Sequence, residues 1–168
     1  DTIAKTKRLL GEYPEKKVVV DATALWHIDP TWLRVGVIVT PHAREFTHVF
    51  GLEPTADSVQ TVAKRHHGIV VLKGKYDYVS DGKELWENRT GNTGMTKGGT
   101  GDVLAGLTAA LAAKNDSLTA ALAGVYLNGL AGDRLYKERG SFYNAEDLIC
   151  ELGKIWKEMI IQTTYETS

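Results

Sequence analysis

Residues 90–102 form a glycine-rich stretch that constrains the fold more than any other part of the chain. Five of these thirteen residues are glycine, and the stretch ends on an acid, Asp102. An apolar, alanine-rich run follows over residues 103–111 and predicts a buried helix. Glycine lets a backbone approach a ligand closely, and a helix N-terminus presents unpaired N–H groups with partial positive charge. The stretch therefore predicts an anion site, most often one for phosphate.

Two standard nucleotide motifs do not account for this stretch. Lys97 lies between Thr96 and Gly98, which excludes a Walker A sequence, and Leu104 occupies the third glycine position of a dinucleotide-binding Gly-x-Gly-x-x-Gly sequence. Asp102 then has two possible roles. It could cap the helix by accepting its N–H groups, or it could act as a general base beside a bound phosphate.

The composition narrows the classes of function. The chain has 168 residues, enough for one domain with its own core. Its net charge of −1 argues against a general nucleic-acid or membrane binder. Cys150 is the only cysteine, so we expect a small apolar side chain packed in an amphipathic helix and a cytoplasmic protein. The chain starts at Asp1 and not at Met, which indicates processing or a fragment.

Apolar runs alternate with helical patterns along the chain. Buried strands are predicted over residues 17–21, 35–39 and 69–73, and a hairpin over residues 76–80 and 84–88. Helices are predicted over residues 2–12, 41–50, 55–67, 103–114 and 118–137, followed by a last helix that Asn144 caps and that frays from Gln162. This alternation indicates an α/β fold with a parallel or mixed sheet covered on both faces.

Two of these helices carry further features. Thr40 is the predicted N-cap of a helix that starts at Pro41, and Gly51 is predicted to end that helix. The helix over residues 118–137 is rich in glycine and alanine, so we expect it to pack closely against a neighbour. It also contains two polar positions, Asn128 and Asp133.

Four polar side chains lie at or just after the end of a predicted strand or of the glycine-rich stretch: Asp21, His42, Lys73 and Asp102. Because open α/β sheets bind ligands at the carboxyl ends of their strands, we expect the four to converge on one rim. Asp21 could instead have a role in a turn or as a helix cap, and His42 could be an exposed residue at a helix start. The adjacent pair at positions 66 and 67 predicts no metal site, since neighbouring side chains on a helix point in different directions.

The motifs together resemble those of the ATP/ADP-dependent NAD(P)H-hydrate dehydratases, in the ribokinase-like superfamily. The glycine-rich stretch carries the resemblance with its Thr-Gly-Asn start and its Gly-Gly-Thr-Gly-Asp end. Further matches are Val20-Asp21-Ala22, Thr40-Pro41-His42, Val71-Leu72-Lys73-Gly74 and the run from Gly124 to Asp133. Lys97 departs from the family pattern and places a cation beside the loop, where it either helps to bind phosphate or is merely exposed.

The resemblance implies a three-layer, ribokinase-like α/β/α fold with a mainly parallel sheet. It implies that residues 1–168 are a single, partial domain, truncated on its N-terminal side. It also implies repair of NADHX and NADPHX, the hydrated forms of NADH and NADPH. ATP or ADP would phosphorylate the hydrate hydroxyl, and elimination of phosphate would restore the dihydropyridine. We therefore expect a homo-oligomeric enzyme that acts on small molecules.

The resemblance also assigns roles to residues. Asp102 would be the base, and His42, Asp21 and Asp102 would contact the hydrate. The nucleotide site would be formed by Lys73, Gly74, Lys75, Tyr76, Asp77, Gly99, Thr100 and Gly101. Mg²⁺ would arrive with the phosphates, without a dedicated set of protein ligands. Two alternatives stay open: a ribokinase-like kinase of a thiazole or pyrimidine alcohol, and a nucleotide-binding module without activity.

Overall fold

The computed structural model describes residues 2–166, with side chains over residues 2–162. Its strands are β1 (Val18–Val20), β2 (Val37–Val39), β3 (Ile69–Leu72), β4 (Asp77–Ser80) and β5 (Leu85–Asn88). Its helices are α1 (Thr2–Glu12), α2 (Ala43–Phe50), α3 (Ala56–His66), α4 (Thr100–Ala112), α5 (Ser117–Arg139) and α6 (Ala145–Glu166). Short 3₁₀ turns lie at Ala22–His27, Pro30–Trp32 and Thr93–Met95.

The five strands form one sheet in the order β1-β2-β3-β4-β5. Strands β1, β2 and β3 are parallel, and β4 is antiparallel to both of its neighbours, β3 and β5. Four of the five strands therefore run in the same direction, with β4 reversed. This confirms the prediction of a mainly parallel sheet that carries a hairpin.

Side chains alternate between the two faces of the sheet, as strand geometry requires. Val39 and Val70 pack with α1, α2 and α3 on one face. Ile38 and Val71 pack with α4 and α5 on the other face. A third apolar cluster joins α5 to α6. Helices thus cover both faces of the sheet, which confirms the predicted three-layer α/β/α fold.

The second strand and the helix after it begin later than predicted. Val35 is 79% exposed, and Gly36 turns the chain with φ of 92°, so β2 begins only at Val37. Thr40 is not the N-cap of α2. It is buried, and its N–H donates to the Val20 carbonyl at 3.2 Å, so it continues the sheet. His42 is the N-cap instead.

Two expectations for the last helix are wrong. Cys150 is exposed and does not fill the core, because the apolar face that packs on α5 is formed by other residues, Leu148 and Ile155 among them. The helix also continues past Gln162 to Glu166.

Asp1, Thr167 and Ser168 lie outside the described residues. Within the described residues, no helix is long and apolar enough to cross a membrane.

Small residues let α5 approach its neighbours closely, as predicted. A Cβ atom at Gly124 would lie 2.4 Å from Thr108 Oγ1 in α4. A Cβ atom at Gly129 would lie 2.6 Å from the backbone carbonyl carbon of Thr90, at the start of the glycine-rich stretch. These separations are far below normal contact distances. The missing side chains therefore set how closely α4 and the glycine-rich stretch pack against α5.

Replacing Gly129 with alanine is expected to destabilise the fold, and the same change at Gly153 is not. Both glycines lie inside helices, where alanine is favoured by about 1 kcal/mol. At Gly129 the added methyl would collide with backbone, and overpacking of this kind costs about 1–3 kcal/mol. At Gly153 nothing lies within 4 Å of the added atom. Urea unfolding should show a lower free energy of unfolding for Gly129→Ala and a higher one for Gly153→Ala. Equal changes in the two variants would contradict the close packing of Gly129 against the glycine-rich stretch.

Candidate active site

The predicted site residues lie at the carboxyl ends of the three parallel strands. Asp21 directly follows β1, His42 lies three residues beyond β2, and Lys73 directly follows β3. The Lys73 N–H donates to the Pro41 carbonyl at 2.8 Å, and His42 and Lys73 form an isolated parallel bridge. The sheet hydrogen bonds thus extend past the strands and hold these residues along one edge. The predicted convergence is confirmed for these three residues.

Lys73 and Asp21 form an ion pair at this edge. Lys73 Nζ donates to Asp21 Oδ1 at 2.8 Å, and the two side chains are 21% and 10% exposed. Lys73 was predicted to contact the nucleotide and Asp21 the hydrate, and the two side chains are bonded to each other. Burial makes each charge depend on the other, because a charge left alone in a buried place is strongly unfavourable.

The N-terminus of α4 lies beside this ion pair. A Cβ atom at Gly101 would be 3.4 Å from Lys73 Nζ and 3.8 Å from Asp21 Oδ2. Gly99, with φ of 90°, is the N-cap residue, and no side chain caps the helix. The N–H groups of the first turn and the Lys73 ammonium are therefore adjacent, and both favour an anion.

Asp102 lies one residue further along, in the first turn of α4, with an exposed side chain. The alternative in which Asp102 caps the helix is wrong, since Gly99 takes the cap position with no side-chain hydrogen bond. The chain starts α4 with glycine at the cap because this residue adopts a positive φ without steric cost. The Asp102 carboxylate therefore stays available to a ligand at the helix start.

Hydrogen bonds from Thr100 and Lys97 hold the loop in front of α4. The buried Thr100 hydroxyl lies 2.7 Å from the Met95 carbonyl oxygen, to which it donates. Lys97 is exposed, and its Nζ donates to the carbonyls of Tyr143, at 2.7 Å, and Ser141. The departure from the family pattern at Lys97 thus ties the loop to the connection between α5 and α6.

Asp133 organises the start of the glycine-rich stretch, a role that the sequence analysis did not assign. Its carboxylate accepts from the Gly91 N–H and from Asn92 Nδ2, each at 3.0 Å. Asn92 Oδ1 in turn accepts from the Gly94 N–H at 2.9 Å and from the Tyr143 hydroxyl at 2.8 Å. An acid inside a helix otherwise rich in small and apolar residues was the available signal, because such an acid needs partners.

The turn between β3 and β4 contains the remaining residues predicted to bind nucleotide. Asp77 accepts from the Gly74 N–H and from Asn88 Nδ2, both at 3.1 Å. Burial raises the pKa of Asp77 above its ordinary value, although these two hydrogen bonds act against the shift. Asp77 thus braces the turn. The part of this turn that a ligand can reach is formed by other residues, Lys75 and Tyr76.

Tyr76 is an exposed aromatic side chain at the tip of this turn. Lys75 Nζ lies 5.3 Å from its ring centroid, and the Arg89 guanidinium lies 5.5 Å away. Arg89 was not predicted as a site residue, although the predicted hairpin brings the residue after its second strand back beside the turn. The three side chains form a cationic, aromatic surface.

The described residues can hold an anion and provide a carboxylate beside it. The structure brings Lys73, Asp21 and Gly101 together, and Asp102 follows Gly101. Among the side chains of residues 2–162, no group of three or more His, Cys, Asp or Glu is arranged to hold a metal ion.

Comparison with known proteins identifies the family. The NAD(P)H-hydrate dehydratase family model matches residues 4–154. The bifunctional NAD(P)H-hydrate repair enzyme of Methanocaldococcus jannaschii is 42% identical over 158 residues, covering 91% of this chain and 31% of that protein. The chain therefore spans about a third of this relative.

Solved structures share the fold. The ADP/ATP-dependent NAD(P)H-hydrate dehydratase of Bacillus subtilis, co-crystallised with ATP/Mg²⁺ and soaked with CoA, is 30% identical with a TM-score of 0.71; the match covers 84% of this chain and 56% of that one. A ribokinase-like superfamily protein of Enterococcus faecalis gives 26% identity and a TM-score of 0.75, covering 92% and 59% of the two chains. The chain thus has the predicted ribokinase-like fold, and with a family model that matches residues 4–154 it belongs to the NAD(P)H-hydrate dehydratase family.

Proposed function

We propose that this chain takes part in the nucleotide-dependent dehydration of NAD(P)H hydrate to NAD(P)H. The observation that carries the proposal is the position of Lys73 Nζ beside Gly101, at the N-terminus of α4. An ammonium group that lies beside the N–H groups of a helix start suits a phosphoryl group that is being transferred. The family membership supplies the hydrate as the acceptor.

The reaction begins at the hydroxyl group of the hydrated nicotinamide ring. Asp102 accepts the hydroxyl proton, and the hydroxyl oxygen attacks the terminal phosphoryl group of ATP or ADP. The N–H groups of Gly99, Thr100 and Gly101 and the Lys73 ammonium stabilise the negative charge on that phosphoryl group. The phosphate ester formed is a much better leaving group than hydroxide. Elimination of phosphate, with loss of a ring proton, restores the dihydropyridine.

The remaining assignments place the two ligands on opposite sides of the phosphoryl group. His42 and Asp102 contact the hydrate, and Asp21 acts mainly through Lys73. The turn from Lys73 to Asp77 faces the nucleotide, with Lys75 and Tyr76 as its exposed surface. Mg²⁺ bound with the phosphates neutralises part of their charge.

Further assignments are supported by the sequence or the fold alone. One continuous sheet with helices on both faces, among the described residues, supports the assignment of residues 1–168 to a single, partial domain. We also propose a cytoplasmic location and a homo-oligomeric assembly, and size measurements in solution would test the assembly.

Asp102→Ala is expected to lower regeneration of NADH from its hydrate about 100- to 10,000-fold, the usual contribution of a general base. The assay is recovery of NADH fluorescence from purified hydrate with ATP or ADP and Mg²⁺. Asp57→Asn is a matched control, because Asp57 is also an exposed acid in the first turn of a helix, α3. Full activity of Asp102→Ala would contradict the role of Asp102 as base. A stable phosphorylated product would favour a small-molecule kinase.

Lys73→Met is expected to destabilise the fold by about 1–3 kcal/mol, because it leaves the part-buried Asp21 carboxylate without its partner. The double variant Asp21→Asn/Lys73→Met should recover most of that stability, since it removes both charges. It should not recover nucleotide affinity, because the ammonium beside α4 is still missing. Urea unfolding and calorimetric titration with ATP separate the two effects. Normal ATP affinity in the double variant would show that Lys73 has only a structural role.

Asp77→Asn is expected to become more stable relative to the unchanged protein as the pH rises from about 4 toward neutrality. The pKa of Asp77 is raised in the folded state, so its favourable contribution is complete below the unfolded pKa and is lost as the pH rises through the folded pKa. Urea unfolding of both proteins between about pH 3.5 and 7 measures this difference. Asp57→Asn controls for the loss of one charge. If the stability of Asp77→Asn relative to the unchanged protein falls as the pH rises, the predicted direction is wrong.

A further inference from the structure

The imidazole of His42 is held by the first turn of the helix that it caps. The Glu45 backbone N–H donates to His42 Nδ1 at 3.2 Å. A ring nitrogen that accepts a hydrogen bond carries no proton, so the neutral ring must carry its proton on Nε2. The cap of α2 therefore selects one of the two tautomers of His42.

The Glu45 side chain contacts the same residue from a buried position. Its Oε2 accepts from the His42 backbone N–H at 2.9 Å, which completes a reciprocal capping box. Its Oε1 lies 3.6 Å from His42 Nε2. The Glu45 side chain is 5% exposed and that of His42 is 48% exposed. A carboxylate near Nε2 favours a proton on that nitrogen, while the exposed part of the ring stays open to a ligand.

A second contact restrains the ring from another side. The Trp26 indole meets the His42 ring edge-on, with centroids 6.5 Å apart and an interplanar angle of 70°. Trp26 is itself held by His48, whose Nε2 lies 3.0 Å from the Trp26 carbonyl oxygen. This contact restricts the orientation of the His42 ring, in addition to the tautomer that the cap selects.

We propose that Glu45 is a positioning residue that holds His42 as its Nε2–H tautomer, so that His42 gives the hydrate a hydrogen-bond donor. This inference rests on the proposed contact between His42 and the hydrate. A ring whose Nδ1 is occupied by the helix cap cannot also collect a proton there without breaking the cap. His42 therefore orients the substrate through an oxygen acceptor, and Asp102 takes the hydroxyl proton.

The tautomer is measured by nitrogen–proton correlation spectra of the histidine rings in this chain, with and without nucleotide. The chain has five histidines, and His42→Asn identifies the signals of His42. The unchanged protein should show a single Nε2–H tautomer at His42. Glu45→Ala keeps the backbone N–H that donates to Nδ1, but it removes the carboxylate that accepts from the His42 N–H and lies near Nε2, so it should weaken the cap and show an increased share of the Nδ1–H tautomer. Glu45→Gln should keep the single tautomer, since glutamine also completes a capping box.

Kinetics separate positioning from a direct chemical role. Glu45→Ala should raise KM for the hydrate about tenfold and change kcat less than about twofold, the pattern of a lost binding interaction. Glu45→Gln should return KM to within about twofold of the original. His42→Asn is a second variant that retains a good N-cap residue but has no group at the Nε2 position. It should raise KM at least as much as Glu45→Ala does, with normal unfolding behaviour.

Several results would overturn the proposal. One is an Nδ1–H tautomer in the unchanged protein, and another is a Glu45→Ala variant that keeps both the tautomer and KM. Equal losses in Glu45→Ala and Glu45→Gln with the tautomer intact would make the carboxylate a direct participant. If the unchanged protein does not regenerate NADH, the proposed dehydration fails. The ring signals of the histidines then decide alone whether Glu45 positions His42.

Discussion

The part-buried ion pair between Lys73 and Asp21 is the interaction on which the candidate site depends. It joins the end of β3 to the end of β1 across the intervening β2, and it places an ammonium group against the first turn of α4. The N-terminus of α4 carries partial positive charge and Lys73 carries a full positive charge, so the two would repel each other without a nearby negative charge. Asp21 supplies that charge in the absence of ligand, and a phosphate group would supply more of it when bound.

The glycine-rich stretch in front of α4 is more rigid than its composition suggests. Glycine alone would leave a loop with many accessible conformations. Here Asp133, Asn92 and Tyr143 accept from or donate to groups along the stretch, and Thr100 closes its end. Donors arranged in advance around a reacting group need no reorganisation during the reaction, which is the main source of electrostatic catalysis. Asp133 of α5 and Tyr143 of the connection between α5 and α6 thus hold the loop in one arrangement before a ligand would bind.

Much of the fold was predictable because its signals are local. The apolar runs predicted the strands, alternation with helices predicted the layers, and Gly51 and Asn144 predicted helix ends. The errors came from tertiary context. Thr40 is a good cap residue by type, but its backbone is committed to the Val20 carbonyl. Cys150 is apolar by type, but it lies on the outer side of α6.

The site was predictable in position more than in detail. Strand ends indicated Asp21, His42 and Lys73 as neighbours, but no sequence pattern shows that Lys73 and Asp21 bond to each other. The bracing role of Asp77 and the contribution of Arg89 depend on how β4 and β5 pair. The role of Glu45 depends on which residue caps α2, and that differed from the prediction by two positions.

The reversal of β4 has a consequence for how the site is assembled. A third parallel crossover would have required another helix to return the chain to the carboxyl edge of the sheet. The hairpin of β4 and β5 brings the chain back to this edge with eight paired strand residues, and the glycine-rich stretch begins two residues after β5 ends. Asp77 and Asn88 pair at the open end of this hairpin. The chain can therefore change the hairpin's length in matched pairs at its far end without moving the loop, whereas a single inserted residue would turn every following side chain to the opposite face.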